Sequence, residues 1–551
     1  MQFMFKLHAI TNSTMERSLL LPISHHLGRI HRRPLPLAFA LLAMLLSSSK
    51  LQAQTNWSET LKAVASDRDK YDYFGYPVAI DGNYAIVGAY AEDEDTGGNY
   101  YKDEAGSAYI FERNATTGNW REVQKIVPSD RDRNDRFGYS VSISGNYAIV
   151  GAYNAPIDLG GNKKGAAFIF ERNATTGTWS EVQKIVASDR DGIDRFGESV
   201  AISGNYAIAG DYRDYIDTNG QDSINSAGSA YLFERNATTG DWSEVQKIVA
   251  SDRDSDDYFG YSVSISGNYA VVGAYREDQD ANGQNRLYEA GSAYLFERNA
   301  TTGTWSEVQK IVASDRGFDD FFGWSVAISN DYAIVGARGE EENASGQNSL
   351  SAAGSAYLFE RDANGTWSQV QKIVASDRAE DDDFGRTVSI SGDYAIVGAR
   401  GEDENAIGQD TKNAAGSAYL FERDANGTWS QVQKIVASDR DSNDLFGYSV
   451  SISGQNAIVG ALYADEDAKG QNTINNAGAA YIFERGQAAS SVVRQDIEAS
   501  RLQVYVGQNR SLRLRHANRF AGQPLEVRLF DLTGREILRR DIQQPVSVDH
   551  L

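Results

Sequence analysis

Polar and apolar residues alternate over Tyr261-Ser-Val-Ser-Ile-Ser266, the period of a half-buried strand. After the turn signal Gly267-Asn268, the run Tyr269-Ala-Val-Val-Gly-Ala-Tyr275 reads as a second strand with no polar face. A polar stretch from Arg276 to Ala290 leads to a third strand, Gly291-Ser-Ala-Tyr-Leu-Phe-Glu297. Asn299-Ala-Thr-Thr-Gly303 turns the chain into a fourth, Trp305-Ser-Glu-Val-Gln-Lys-Ile-Val312. No helical period interrupts the unit. It recurs behind Phe-Gly pairs at Phe74, Phe137, Phe196, Phe259, Phe322, Phe384 and Phe446, in steps of 63, 59, 63, 63, 62 and 62 residues. A period this regular marks a repeat architecture.

A four-stranded sheet whose inner strands are apolar on both faces is not stable alone and must stack on copies of itself. Short antiparallel strands repeated radially make a β-propeller. Charged residues gather in the fourth strand (Glu244, Lys247), as expected of an outermost, half-solvated strand. The fourth-strand Trp occurs at 57, 120, 179, 242, 305, 367 and 429, so its first copy precedes the first Phe-Gly, and the last unit stops after its third strand at Glu484. Trp57 to Val64 is therefore expected to supply the missing outer strand of the seventh blade and close the ring. The predicted fold is all-β: a seven-bladed propeller closed by an N-terminal strand, plus a small C-terminal β-sandwich-like domain.

Leu35 to Leu46 is an apolar run behind Arg29, Arg32 and Arg33, read as a secretory signal peptide with cleavage near Ala53 or Gln54. It is too short to span a bilayer comfortably, and no later segment is a transmembrane candidate. The expected divisions are 1–54 (signal peptide with an N-terminal extension), 55–486 (propeller), 487–492 (linker) and 493–551 (a basic β-domain with strand-like runs at Leu502, Ser511 and Leu525). Cysteine is absent and residues 57–485 contain no histidine, which removes thiolate chemistry and the commonest general base and metal ligand. The net charge of −23 disfavours nucleic acid and suits cations, basic partners or neutral glycans; solubility of an exported protein explains it equally well.

Phe259-Gly-Tyr-Ser-Val, Val272-Gly-Ala-Tyr275 and Gly291-Ser-Ala-Tyr-Leu-Phe296 resemble FG-GAP repeats, which form the seven-bladed propeller of integrin α-subunits and of many bacterial surface proteins. The resemblance implies a calcium-dependent or ligand-binding extracellular propeller, often linked to adhesion. Integrin-type repeats carry their calcium loop between the first two strands. Here that connection is a short turn, Ser144-Gly-Asn146 in the second unit, so those ligands are not carried over. The tail Val527-Arg-Leu-Phe-Asp-Leu-Thr-Gly-Arg-Glu-Ile-Leu538 resembles the C-terminal sorting domain of the type IX secretion system of Bacteroidota, ending before that family's last strand. It implies export through that machinery to the surface or medium.

The loop after the second strand is the most chemical feature. In the fourth unit, Asp278, Asp280, Asn282 and Glu289, with Gly283 at the turn, have the ligand order of a calcium loop. The first unit offers Asp93, Asp95 and Glu104 at the same spacing. The seventh keeps Asp465 and Asp467, and the third, fifth and sixth keep part of the set (Asp217 and Asn219; Glu341 and Asn343; Asp403 and Asn405). The second unit carries Lys163 and Lys164 and is expected to bind no cation. An alternative is a solvated Asp/Asn/Gly turn. The pattern Asp-Arg-x-x-x-x-x-Phe covers the Phe of every Phe-Gly, with a second Asp two residues before the Phe; seven copies suggest a structural brace in which Arg pairs with the neighbouring Asp, with a metal role as the alternative. The recurring Asn-Ala-Thr matches a glycosylation sequon but reads better as a hairpin turn. Tyr90, Tyr153, Tyr212 and Tyr275 end second strands beside the long loops, placed for rim packing or for stacking on a sugar or peptide.

The expectation is an exported, monomeric binding or adhesion propeller, calcium-braced, holding a protein or glycan through loops on one face. It is not expected to be an enzyme, because the near-identity of the units leaves no singular catalytic set. A glycosidase or lyase with paired carboxylates and a purely structural surface module are the alternatives.

Overall fold

The structure is a computed structural model. It describes residues 56–486 except 99–100, 157–164, 190–193 and 221–222, together with a few strands in the flanking segments. The chain divides into two units, Asn56–Gly486 and a second made of Met1–Thr55 with Gln487–Leu551. In the second unit Leu502–Val506 pairs antiparallel with Leu512–His516, and Leu525–Asp531 with Glu536–Ile542. The signal-peptide run, its cleavage site, the linker and the sandwich-like assembly lie outside the described residues. No helix among the described residues is long and apolar enough to cross a membrane.

Asn56–Gly486 contains seven four-stranded antiparallel sheets, six of them meandering in sequence order. Blade 4 is typical: Ser262–Ser266, Tyr269–Ala274, Ser292–Arg298 and Trp305–Ile311. Blade 7 is built from Phe446–Ser453, Asn456–Ala461 and Ala479–Arg485, and its fourth strand is Trp57–Ala63 from the other end of the propeller. First strands of successive blades pack against one another around the axis, blade 7 against blade 1 included.

The local pattern explains the stacking. Second and third strands are buried along almost their whole length because a blade covers each face. In the first strand Val263 and Ile265 are buried, while the alternate serines clasp the next blade: Ser264 and Ser266 hydroxyls accept from the Ile328 and Asn330 amides at 3.2 and 3.1 Å, and the Ser262 hydroxyl donates to the Gly323 carbonyl at 2.9 Å. A bulge in the fourth strand skips Val308 and turns it to solvent. Beside it, the Gln246 side chain reproduces a strand bridge to the next blade, accepting from the Trp305 amide at 3.0 Å and donating to its carbonyl at 2.8 Å. The same clamp joins Gln433 to Trp57, so the N-terminal strand is held as its equivalents are. Only the junction between blades 7 and 1 has Leu61 in place of the Gln; there Glu484 takes Arg113 at 2.6 Å and the Trp120 indole N–H at 3.0 Å.

The fourth strand is not half-solvated at its lysines, contrary to expectation. Lys247 is buried between Asp189 (2.5 Å) and Asp214 (2.6 Å). The turn reading of Asn-Ala-Thr holds: the Asn299 side-chain oxygen accepts from the Thr301 and Thr302 amides at 2.9 and 3.1 Å.

Candidate functional site

Phe259 is fully buried, edge-on to Tyr294 and Phe296 with centroids 5.4 and 6.1 Å apart. Gly260 has φ +89°, and a Cβ there would collide with the Ser229 carbonyl oxygen of the preceding blade, so only glycine lets the two backbones touch. These two residues lock the start of the first strand. The residue that follows them is therefore presented at the axis, on the face that carries the long loops. Seven such positions ring the axis: Tyr76, Tyr139, Glu198, Tyr261, Trp324, Arg386 and Tyr448.

Their side chains touch around the circle. Tyr139 adjoins Glu198; Tyr139 and Tyr448 lie 4.8 and 5.1 Å from Tyr76; Arg386 stacks over Tyr448 and Trp324 at 5.1 and 5.3 Å; Tyr261 lies 5.0 Å from Trp324. Tyr90, Tyr153 and Tyr275 form a tier behind them, 4.8, 4.5 and 4.6 Å from Tyr76, Tyr139 and Tyr261, and Tyr212 lies 5.6 Å from Tyr261. The four tyrosines singled out in the sequence thus pack, and what they pack against is a partly exposed aromatic platform. Burial pushes the Glu198 carboxyl up to about 7, against the pull of Arg195, 3.5 Å away, and of Arg213. In blades 5 and 6 the tier changes character. Arg338 and Arg400 replace tyrosine, and with Arg386 they surround one carboxylate, Asp383, at 3.3, 2.7 and 4.0 Å. The Arg338 guanidinium lies 4.0 Å over the Trp324 ring. The units therefore do contain a singular constellation, made of the positions at which they differ.

The proposed calcium donors are placed otherwise. The Asp278 carboxylate accepts from the Glu289 amide at 2.8 Å and faces Arg286 at 3.2 Å. Asp280 accepts from the Gln284 and Asn282 amides and the Asn285 side chain, which hold its carboxyl below the usual range. Glu289 is paired with Arg276 at 2.5 Å, and Glu104 with Arg136 at 2.7 Å. Asp93 caps the Glu104 amide and Asp95 the Gly97 amide. As arranged, these donors close their own turns instead of converging as a coordination shell, so the residues present do not fit the ion. Lys163 and Lys164 lie outside the described residues. The Arg of the Asp-Arg pattern does brace a neighbouring loop, but through backbone oxygens: Arg316 donates to the Asp278 and Asn285 carbonyls at 2.7 and 3.1 Å.

Among the described residues, the carboxylates that do converge are Asp67, Glu92 and Glu94. There Lys125 already supplies a cation, 2.7 Å from Asp67 and 3.4 Å from Glu92. Blades 3 to 6 repeat this buried arrangement of lysine, two acids and a tyrosine: in blade 5, Lys372 lies 2.8 Å from Asp315 and 3.2 Å from Glu340, with the Tyr357 hydroxyl 2.9 and 2.7 Å from the same acids. Sequence reading missed this cluster because its second acid, just beyond the second strand, looked like loop. The signal was its recurrence as Glu92, Asp214, Glu277, Glu340 and Glu402, with Ala155 and Ala464 in blades 2 and 7.

A search of curated proteins returns no match. Among solved structures, a periplasmic gluconolactonase from Pseudomonas aeruginosa aligns over 80% of this chain and 98% of its own, at 13% identity and a TM-score of 0.43, a likeness that says nothing of chemistry here. The family model described as FG-GAP repeat matches seven times, at residues 57–111, 120–170, 179–233, 242–296, 305–359, 367–421 and 429–483, together well over half of the chain. The chain belongs to the FG-GAP repeat family.

Proposed function

We propose that this is an exported binding propeller that holds a glycan at the axial mouth of its loop-bearing face. The observation that carries the reading is the contrast between repeated and unrepeated positions. Packing residues recur almost unchanged through seven blades, whereas the residue after Phe-Gly is Tyr, Tyr, Glu, Tyr, Trp, Arg, Tyr, and these side chains meet at one place. Stacking alone does not require a tier of half-buried aromatics around an axis. Such a platform suits the faces of sugar rings, which pair an apolar face with hydroxyls that the tyrosine O–H and arginine N–H groups can meet. The apolar run from Leu35 to Leu46 supports an exported setting. Binding of the full chain to a glycan array tests this: Trp324→Ala is expected to abolish the signal, while Asp280→Ala in the rim loop leaves it intact. The reverse pattern would return the site to the rim loops.

Glu198 favours a second reading, a carbohydrate-active enzyme. It is the one carboxylate among the seven axial positions and titrates near neutrality beside the Tyr139 hydroxyl, as a general acid or base does. Product formation from a bound glycan that disappears in Glu198→Gln, with binding retained, would establish it.

A further inference from the structure

We infer that the mouth is selective for a carboxylate-bearing sugar, a uronate unit of an anionic glycan, whose carboxylate pairs with the Arg338, Arg386 and Arg400 guanidiniums while its ring lies against the axial aromatic tier that Trp324 anchors. The inference rests on the axial-mouth reading above and names the ligand class for that site.

Three guanidiniums share one carboxylate, Asp383, and Arg386 lies 4.0 Å from it, at the edge of ion-pair reach. All three arginines are half-buried and Asp383 is buried. Excess positive charge held away from water is costly, and a bound anion offsets that cost. Guanidiniums are the groups that take a planar carboxylate through paired N–H donors. The arginine planes lie over Trp324, Phe321 and Tyr448 at 4.0–5.6 Å, which fixes them for a ligand without ordering loose chains on binding. Charge therefore selects the anion and the aromatic surface selects a ring attached to it. The protein's net charge of −23 does not forbid this, since acidic groups farther than about 8–10 Å are screened at physiological salt.

The test is calorimetric titration of the full chain with oligogalacturonate, a neutral β-glucan oligomer, a sulfated dextran oligomer and poly-glutamate. Oligogalacturonate is expected to bind, with the other three at least tenfold weaker. Arg386→Gln is expected to weaken oligogalacturonate at least tenfold. Asp383→Asn, which removes the competing carboxylate at a position with φ +59° that Asn tolerates, is expected to tighten binding severalfold. A merely structural Asp383 would instead weaken it, so the pair of variants reads in opposite directions and folding damage cannot imitate the result. Tight neutral-glycan binding that Arg386→Gln leaves unchanged and Trp324→Ala removes would overturn the uronate inference and keep the axial site. Preference for sulfated dextran would overturn the carboxylate assignment, and equal binding of poly-glutamate would reassign the site to an acidic peptide. Glycan binding indifferent to Trp324→Ala, Arg386→Gln and Asp383→Asn, or no binding by any probe, would overturn both readings.

Discussion

Replacing Lys372 by Met removes the internal cation of blade 5 and leaves its two acids facing each other. Lys372 is 5% exposed and Glu340 fully buried, so solvent does not take over the lysine's role. At 2.8 and 3.2 Å and an effective dielectric constant of about 20, each attraction is roughly 5–6 kcal/mol gross. Desolvation cancels much of that, and breaking a buried pair by removing one partner costs about 3–5 kcal/mol. Burial, a proton shared with the Glu342 carboxyl and the Asp320 charge push the Glu340 carboxyl up to about 8. In the parent chain both acids are ionised at pH 9, so the full loss is expected there, the variant having to bury an uncompensated charge or take up a proton at Glu340; at pH 6, where Glu340 already holds a proton, the expected loss is about 1–2 kcal/mol. Blade 2 supplies the control. There Ala155 replaces the second acid and Phe168 the tyrosine, and Lys184, 22% exposed, pairs among the described carboxylates with the half-exposed Asp130 and donates to the Pro156 carbonyl at 2.7 Å. Lys184→Met should cost about 1 kcal/mol or less at either pH. Urea unfolding at pH 6 and pH 9 for both variants gives the comparison. Equal losses for the two lysines, or a Lys372→Met loss that grows on acidification, would refute the reading of these lysines as internal counterions.

Other expectations follow from the same geometry. Burial, then the charge of Glu277, raises the Asp257 carboxyl from 3.8 to about 8, so the native state holds a proton that the unfolded chain releases; stability should fall as pH rises from about 4 to 8, and Asp257→Asn should flatten part of that slope in melting curves. Gln246→Ala deletes both hydrogen bonds of one inter-blade clamp and should lower stability by about 1–2 kcal/mol in urea. Gly260→Ala, with the Ser229 carbonyl in the way, should prevent accumulation of folded protein, whereas Gly267→Ala, at a turn open to solvent, should cost about 1 kcal/mol; similar yields and melting points for the two would contradict the blade-contact argument.

The ring was legible because its causes are periodic. Phe-Gly, the Gly-Ala strand and the fourth-strand Trp recur wherever one backbone presses on the next, and the unpaired Trp57 announced the closing strand. The hairpin caps were legible from Asn in blades 1 to 4, whereas in blades 5 and 6 the cap is Asp362 and Asp424, two residues before the Asn. The site was not, for the opposite reason. Tyr76, Glu198, Trp324 and Arg386 each stand in a different copy of the same phrase, and only the closed ring makes them neighbours. The acidic loops drew attention because their spacing imitates a calcium loop, but a carboxylate that accepts from two amides of its own turn shows the same spacing. Lys247 and its equivalents looked like the surface of an edge strand because a lysine among Glu and Gln carries no mark of burial; the mark is in the acids that meet it from another strand end.

Trp324 allows the axial site to be tested directly. The seven other tryptophans all head fourth strands and are 2–6% exposed, so Trp324 is the one tryptophan at the mouth. Acrylamide quenching of intrinsic fluorescence, with and without saturating glycan ligand and with Trp324→Phe as reference, isolates its signal. Ligand is expected to shield a quenchable fraction that is missing from Trp324→Phe. Saturable binding that leaves the Trp324 signal unchanged would place the ligand elsewhere and contradict the axial mouth as the site.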